Sequence, residues 1–86
     1  MTIYECSEGL YAHKAYETHT DMFGTQYAVP TEGDFTRDEL VSEILQRYQL
    51  VVDDGKTVTV AGNTYALTDD LVDEFNRDGT VLLAVA

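Results

Sequence analysis

The chain has 86 residues and carries 16 Asp and Glu against 5 Lys and Arg, a formal net charge of −11. This length supports one domain with a single modest core and a radius of gyration of ~12 Å if compact, and a polyanion repels phosphates, which excludes direct DNA or RNA binding from the expected functions. A hydrophobic content of 44% argues against a disordered acidic tail, while the longest apolar run, Val81 to Ala86, is too short to cross a bilayer.

Met1 to Cys6 reads as a short strand, and the segment Met1-Thr2-Ile3-Tyr4-Glu5 has neither the basic nor the apolar region of a secretion signal. The expectation is a cytoplasmic protein with no membrane partner. Cys6 is the single cysteine, so no internal disulfide forms. Ser7 is placed to cap the next element. Tyr11, Ala12, Ala15 and Tyr16, then Met22 and Phe23, recur at helical spacing, which predicts a first helix over residues 8–23 with Gly24 as its stop. The Tyr- and Thr-rich content of Tyr11 to Thr20 also suits an alternating strand, so both readings stand. Gln26 to Val29 is a second short strand, after which Pro30 and Gly33 break the chain.

Thr36 starts the second helix. Glu39 three residues later completes a capping box, and Phe35 with Leu40 occupy the positions of a hydrophobic staple. Leu40, Val41, Ile44, Leu45 and Tyr48 then fall on one arc of ~140°, the face expected to dock on the sheet. Leu50-Val51-Val52 leads to the turn Asp53-Asp54-Gly55, followed by a strand from Thr57 to Ala61, a hairpin turn at Gly62-Asn63 and a return strand from Thr64 to Leu67. Val58 and Val60 share a face, with Tyr65 and Leu67 opposite them.

Thr68 caps the third helix, Asp69 and Asp70 complement its dipole, Leu71, Val72 and Phe75 form its apolar stripe, and Gly79 ends it. Thr80 to Ala86 is the last strand, and its unbroken apolar character predicts an interior place in the sheet. The fold expected is a small single α+β domain, three helices packed on a four- or five-stranded, mostly antiparallel sheet. The stretch Leu67 to Gly79 resembles the N-terminal helix-and-strand segment of phytanoyl-CoA dioxygenase-like proteins. That likeness covers 13 residues of helix-capping pattern, and no iron-ligand residue carries over from it.

The placement of the carboxylates says more than their number. Asp69, Asp70, Asp73 and Glu74 occupy an arc of ~140° opposite the apolar stripe and span a rise of ~7.5 Å, one charge per ~1.9 Å against one phosphate charge per ~1.7 Å along duplex DNA. Asp53 and Asp54 add carboxylates in a turn, and Glu32 and Asp34 in a loop. Cys6, His13 and His19 offer metal-ligating chemistry without the spacing of a zinc module, so no metal or other cofactor is expected, and no catalytic residue either. On the helical reading His19 lies on the buried face and His13 on the surface. Of the six tyrosines, Tyr11, Tyr16, Tyr48 and Tyr65 suit the core, while Tyr4 and Tyr27 have no assigned face.

In size and charge the chain resembles the small acidic inhibitors of phages and mobile elements, among them anti-CRISPR and anti-restriction proteins that imitate DNA. The resemblance implies a non-enzymatic protein that binds a basic partner, a nucleic-acid-binding complex or nuclease, through Asp69, Asp70, Asp73, Glu74, Asp53 and Asp54. Asp in excess of Glu, scarce Lys and abundant Thr and Val also resemble proteins of salt-loving archaea, in which carboxylates hold water and recognise nothing, and an antitoxin-like regulator fits the same size and charge.

Overall fold

The computed structural model describes residues 1–49 and 51–86; Leu50 and the side chains of Val51, Val52 and Asp53 lie outside the described part. Strands replace the expected first helix. Thr2–Cys6 (β1) and Gly9–His13 (β2) form one antiparallel hairpin, and Tyr16–Thr20 (β3) and Gln26–Pro30 (β4) form another. Tyr, Thr and His lose rotamer freedom in a helix and fit a pleated surface, which is the preference that wins here. Leu10 and Ala12 are fully buried while Tyr11 and His13 between and beyond them are half-buried, a period of two rather than 3.6. Ser7 lies with Glu8 in the β1–β2 turn instead of capping a helix, and Gly24 sits at φ 81° in the β3–β4 turn. Helix ends and hairpin turns both call for a left-handed residue, so that glycine signalled a chain reversal of the wrong kind.

Three small antiparallel sheets stand in place of the single expected one. Their strand orders are β1-β2-β8, with β8 spanning Thr80–Ala84; β3-β4; and β5-β6-β7, formed by Val51–Asp53, Thr57–Val60 and Asn63–Ala66. β8 is therefore an edge of its sheet, and β2 holds the interior place predicted for it. Cover by other elements explains its apolar run: Val81 and Leu83 face the core, and its far edge is tied to β7 by a bridge between Tyr65 and Val85 and by Ala86 N–H donating to the Thr64 carbonyl at 2.9 Å. β2 and β8 approach so closely at Gly9 that a Cβ there would collide with the Leu83 carbonyl.

Two helices are present among the described residues. Arg37–Arg47 (α1) begins with the predicted capping box, Thr36 Oγ1 accepting from Glu39 N–H at 3.2 Å and Glu39 Oε1 accepting from Thr36 N–H at 3.1 Å. Its Leu40 and Ile44 are fully buried, Val41 and Tyr48 half-buried, but Leu45 is 52% exposed, so the docking face is narrower than the sequence arc. Asp69–Asp78 (α2) is capped by Thr68 and stopped by Gly79 at φ 77°, as predicted. The β6–β7 turn falls at Ala61-Gly62, one residue earlier than expected, with both residues at positive φ, the geometry that matches hairpin twist. Val60 pairs with Asn63 and Val58 with Tyr65. Since moving the turn by one residue shifts each pairing by two, Val58, Val60, Tyr65 and Leu67 stay on the inner face, and all are buried.

One core joins these elements, with Ile3, Leu10, Val81 and Leu83 from the first sheet, Val58, Val60 and Tyr65 from the third, and Leu40, Ile44, Val72 and Phe75 from the helices. The β3–β4 hairpin stands outside it. Residues 16–28 are all exposed, and the molecule measures 48 × 24 × 20 Å with a radius of gyration of 14.2 Å, longer than the compact estimate because this ribbon projects. Asp21 pins its tip by accepting from Phe23 N–H and Thr25 N–H at 2.8 and 2.9 Å, leaving Met22 and Phe23 in solvent. No described helix is long and apolar enough to cross a membrane.

Candidate functional site

Leu67 gathers the acidic elements. Its N–H donates to the Lys56 carbonyl at 2.8 Å, which fixes the β5–β6 turn beside it, and its carbonyl accepts from Arg37 Nε at 2.8 Å, which brings the first residue of α1 to the same place. Thr68, the next residue, caps α2. The first turns of both helices and the Asp54 turn thus share one end of the molecule, with Asp38 and Glu39 from α1, Asp69 and Asp70 from α2, and Asp54 from the turn. Each helix start gains from acidic residues there, because the unpaired N–H groups of a first turn carry partial positive charge.

Among the residues singled out by sequence, Asp69, Asp70 and Asp73 are exposed on the outer side of α2, and Glu74 is half-buried on the same helix. Asp54 belongs to the same end but is already occupied. Its Oδ1 accepts from Lys56 N–H, Thr57 N–H and the Thr57 hydroxyl at 2.9, 2.7 and 2.9 Å, and these bonds hold its carboxyl down at about 2. Asp53 ends β5 opposite Val58, with its side chain outside the described part. Asp38 joins the group without having been anticipated, since only the tertiary contact at Leu67 places α1 beside α2.

The chain's own cations are mostly spoken for. Lys14 is 5% exposed, its Nζ 3.4 Å from both Asp34 Oδ1 and the Asn76 carbonyl and 5.7 Å from the centre of the Phe75 ring. Arg47 donates to the Glu43 carboxylate and to the Met1 carbonyl, each at 2.7 Å. Arg77 is bound to Asp78, and that hydrogen bond, together with the charges of Asp78, Glu74 and Asp73, pushes its guanidinium further up. Four of the five basic side chains, Arg37 included, are thus turned to partners within the molecule.

A second feature lies on the outer face of the first sheet. A one-sided antiparallel sheet ordinarily shows polar residues to water. Here Tyr4 and Tyr11 are cross-strand partners with ring centres 5.3 Å apart, Tyr11 lies 6.1 Å from His13, and His13 lies 6.2 Å from Tyr16 at the root of the β3–β4 hairpin. These rings and Lys14 line an open cleft of about 540 Å³, closed on the other sides by Ala28 and Pro30 of β4 and by Asp78, Gly79 and Thr80 at the α2–β8 junction. The Thr80 hydroxyl donates to the Tyr11 hydroxyl, and His13 Nδ1 donates to the Lys14 carbonyl at 3.2 Å. Since a carbonyl can only accept, that bond leaves Nε2 of a neutral His13 as an acceptor. Two-residue alternation through Tyr11 and His13 is the signal that would have revealed this row; the helical reading hid it. Tyr16, expected in the core, is 58% exposed, and Tyr4 and Tyr27 are 46% and 49% exposed.

The histidines also reverse their expected places. His13 is half-buried beside Tyr11, and His19 is exposed on the projecting hairpin, 5.8 Å from the Tyr27 ring and 3.3 Å from Glu17. Cys6 is exposed at the end of β1. No group of three His, Cys, Asp or Glu side chains converges as a metal site among the described residues. No protein-family model, curated protein or solved structure matches the chain.

Proposed function

We propose that this chain is a non-enzymatic binding protein of the cytoplasm that sets its acidic end against the basic, nucleic-acid-binding surface of another protein, in the manner of a DNA mimic. The observation that carries this reading is the gathering of Asp38, Asp69 and Asp70 around Leu67, with Asp73 one turn further, while four of the chain's five basic side chains are engaged by partners within the molecule. Such carboxylates steer association through long-range attraction and pair with Lys and Arg once docked. The test uses the protein as bait for proteins of its own cell, with and without the double reversal Asp70→Lys and Asp73→Lys. A nucleic-acid-binding protein that is retained by the parent, released by duplex DNA and lost from the variant supports the proposal. Equal retention by both baits removes α2 from the interface.

The competing reading is solvation. Glu5 on β1, Glu8 in the β1–β2 turn, and Glu17 and Asp21 on the projecting hairpin are exposed away from the acidic end, a spread that suits a protein holding water over its whole surface. A protein that folds only in molar salt favours that alternative.

A further inference from the structure

We propose that the cleft lined by Tyr4, Tyr11, His13 and Tyr16 is a binding site for a guanidinium group, the side chain of an arginine presented on a segment of a basic partner. The class of partner rests on the reading above; the affinity of the cleft for guanidinium does not. Three properties of the site select this chemistry.

The first is the rings. Aromatic faces carry negative potential and attract cations, arginine above all because its planar group also stacks. Tyr4 and Tyr16, at the two ends of the row, are 46% and 58% exposed, so their faces are open to a ligand. The second is hydrogen-bond polarity. A guanidinium has five donors and no acceptor, and the cleft offers acceptors: the tyrosine hydroxyl oxygens and the Asp78 carboxylate at the rim. Asp78 is 48% exposed and bonded to Arg77, itself 70% exposed; such a pair is weak in water, and each carboxylate oxygen keeps a free lone pair for a second donor.

The third is charge. The one ammonium near the cleft belongs to Lys14, whose position in the alternation after β2 matches Leu10 and Ala12, so its side chain runs to the core side, where Asp34, the Asn76 carbonyl and the Phe75 ring hold it. Lys14 is part of the cleft lining, but its ammonium is 5% exposed and engaged by these partners, in a molecule whose net charge is −11. Anionic ligands are repelled and cations concentrated. A volume of about 540 Å³ admits an arginine side chain together with its flanking backbone.

The experiment is an NMR titration of the whole chain with N-acetyl-arginine methylamide, and in parallel with the citrulline analogue, which keeps the shape and loses the charge. Saturable shifts at Tyr4, Tyr11, His13 and Tyr16, with the citrulline compound binding about tenfold more weakly or worse, are the expected result. Tyr4→Leu and Tyr16→Leu, both at exposed positions, should each weaken binding severalfold while the remaining amide spectrum keeps its dispersion. Equal affinity for the two probes overturns the proposal, as do shifts confined to α2 or a tyrosine face already covered by a second copy of the chain. The citrulline comparison needs no variant, so it decides even if a substitution disturbs the fold. Because no partner protein is present, a negative result here leaves the bait experiment untouched, and the reverse also holds.

Discussion

Asn76 and Phe35 are joined at two points: the Asn76 side chain accepts from Phe35 N–H through Oδ1 and donates to the Phe35 carbonyl through Nδ2, each at 2.8 Å. This pair fixes the segment entering α1 against the last turn of α2, and it sets the Phe35 ring 5.7 Å from that of Phe75. Asn76→Ala leaves both backbone groups of Phe35 without a partner in a partly buried place, so it should cost about 1–3 kcal/mol. Urea unfolding measures this. A loss below about 0.5 kcal/mol would mean that water replaces the amide without penalty.

Ala61 sits at φ 51°, in a turn whose second residue, Gly62, is at φ 86°. An L-residue other than Asn, Asp or Gly is strained there, and Asn-Gly is the preferred pair for this turn. Ala61→Asn should therefore stabilise the domain by about 0.5–1 kcal/mol, a rise in Tm of several degrees for a chain of this size. An unchanged or lower Tm would refute the strain at Ala61.

Asp54 links stability to pH. The Lys56 and Thr57 N–H groups and the Thr57 hydroxyl bond its ionised form and hold its carboxyl at about 2, below the ordinary 3.8. A carboxyl depressed on folding stabilises above its unfolded value and loses that contribution as pH falls through the folded one. Asp54→Ala should be less stable than the parent at neutral pH, and the gap should close as pH falls from about 4 to about 2. Chemical denaturation of both proteins across that range reads the difference, in which the other carboxylates cancel. A gap independent of pH would show that the bonds do not select the carboxylate.

Self-repulsion among 16 acidic groups opposed by 5 basic ones should relax at modest ionic strength. The Debye length is about 10 Å at 0.1 M, so the Tm should climb from about 0.05 M KCl and level by a few tenths molar. A Tm still climbing at about 3 M would assign the acidity to solvation in brine.

Asp70→Lys with Asp73→Lys carries the corresponding stability control. Both positions are exposed on α2 and neither makes a structural hydrogen bond of the kind that holds Asp54, so the doubly reversed protein should keep the parent Tm within a few degrees. Thermal melts by circular dichroism check this. A large drop would mean that loss of partner binding by this variant reports unfolding.

Local chemistry made much of the fold readable. Thr36 with Glu39, and Thr68 with Gly79, mark helix ends by bonds formed within a few residues, and these survive whatever the rest of the chain does. The strands from Met1, Gln26 and Thr57 were visible for the same reason, being short β-favouring runs between turn residues. The 8–23 region misled because Tyr11, Ala12, Ala15 and Tyr16 fit a helical arc by spacing alone, and only pairing with β1 and β8 gave their alternation a meaning. The site divides likewise: the exposed face of Asp69, Asp70 and Asp73 is set by helix geometry, but the company of Asp38 and the tyrosine row is not.

By itself, then, the sequence determined what depends on neighbours in the chain: both helices with their caps, the inward set of Val58, Val60, Tyr65 and Leu67, and a net charge that repels phosphates. Tertiary structure decided what depends on distant partners. It divided the strands among three sheets, sent the β3–β4 ribbon into solvent, drew both helix starts to Leu67, and aligned Tyr4, Tyr11, His13 and Tyr16 along a cleft. The physical reason is range. A cap or a charge acts within one turn, whereas strand pairing exchanges hydrogen bonds between residues such as Tyr11 and Leu82, whose meeting no local preference encodes.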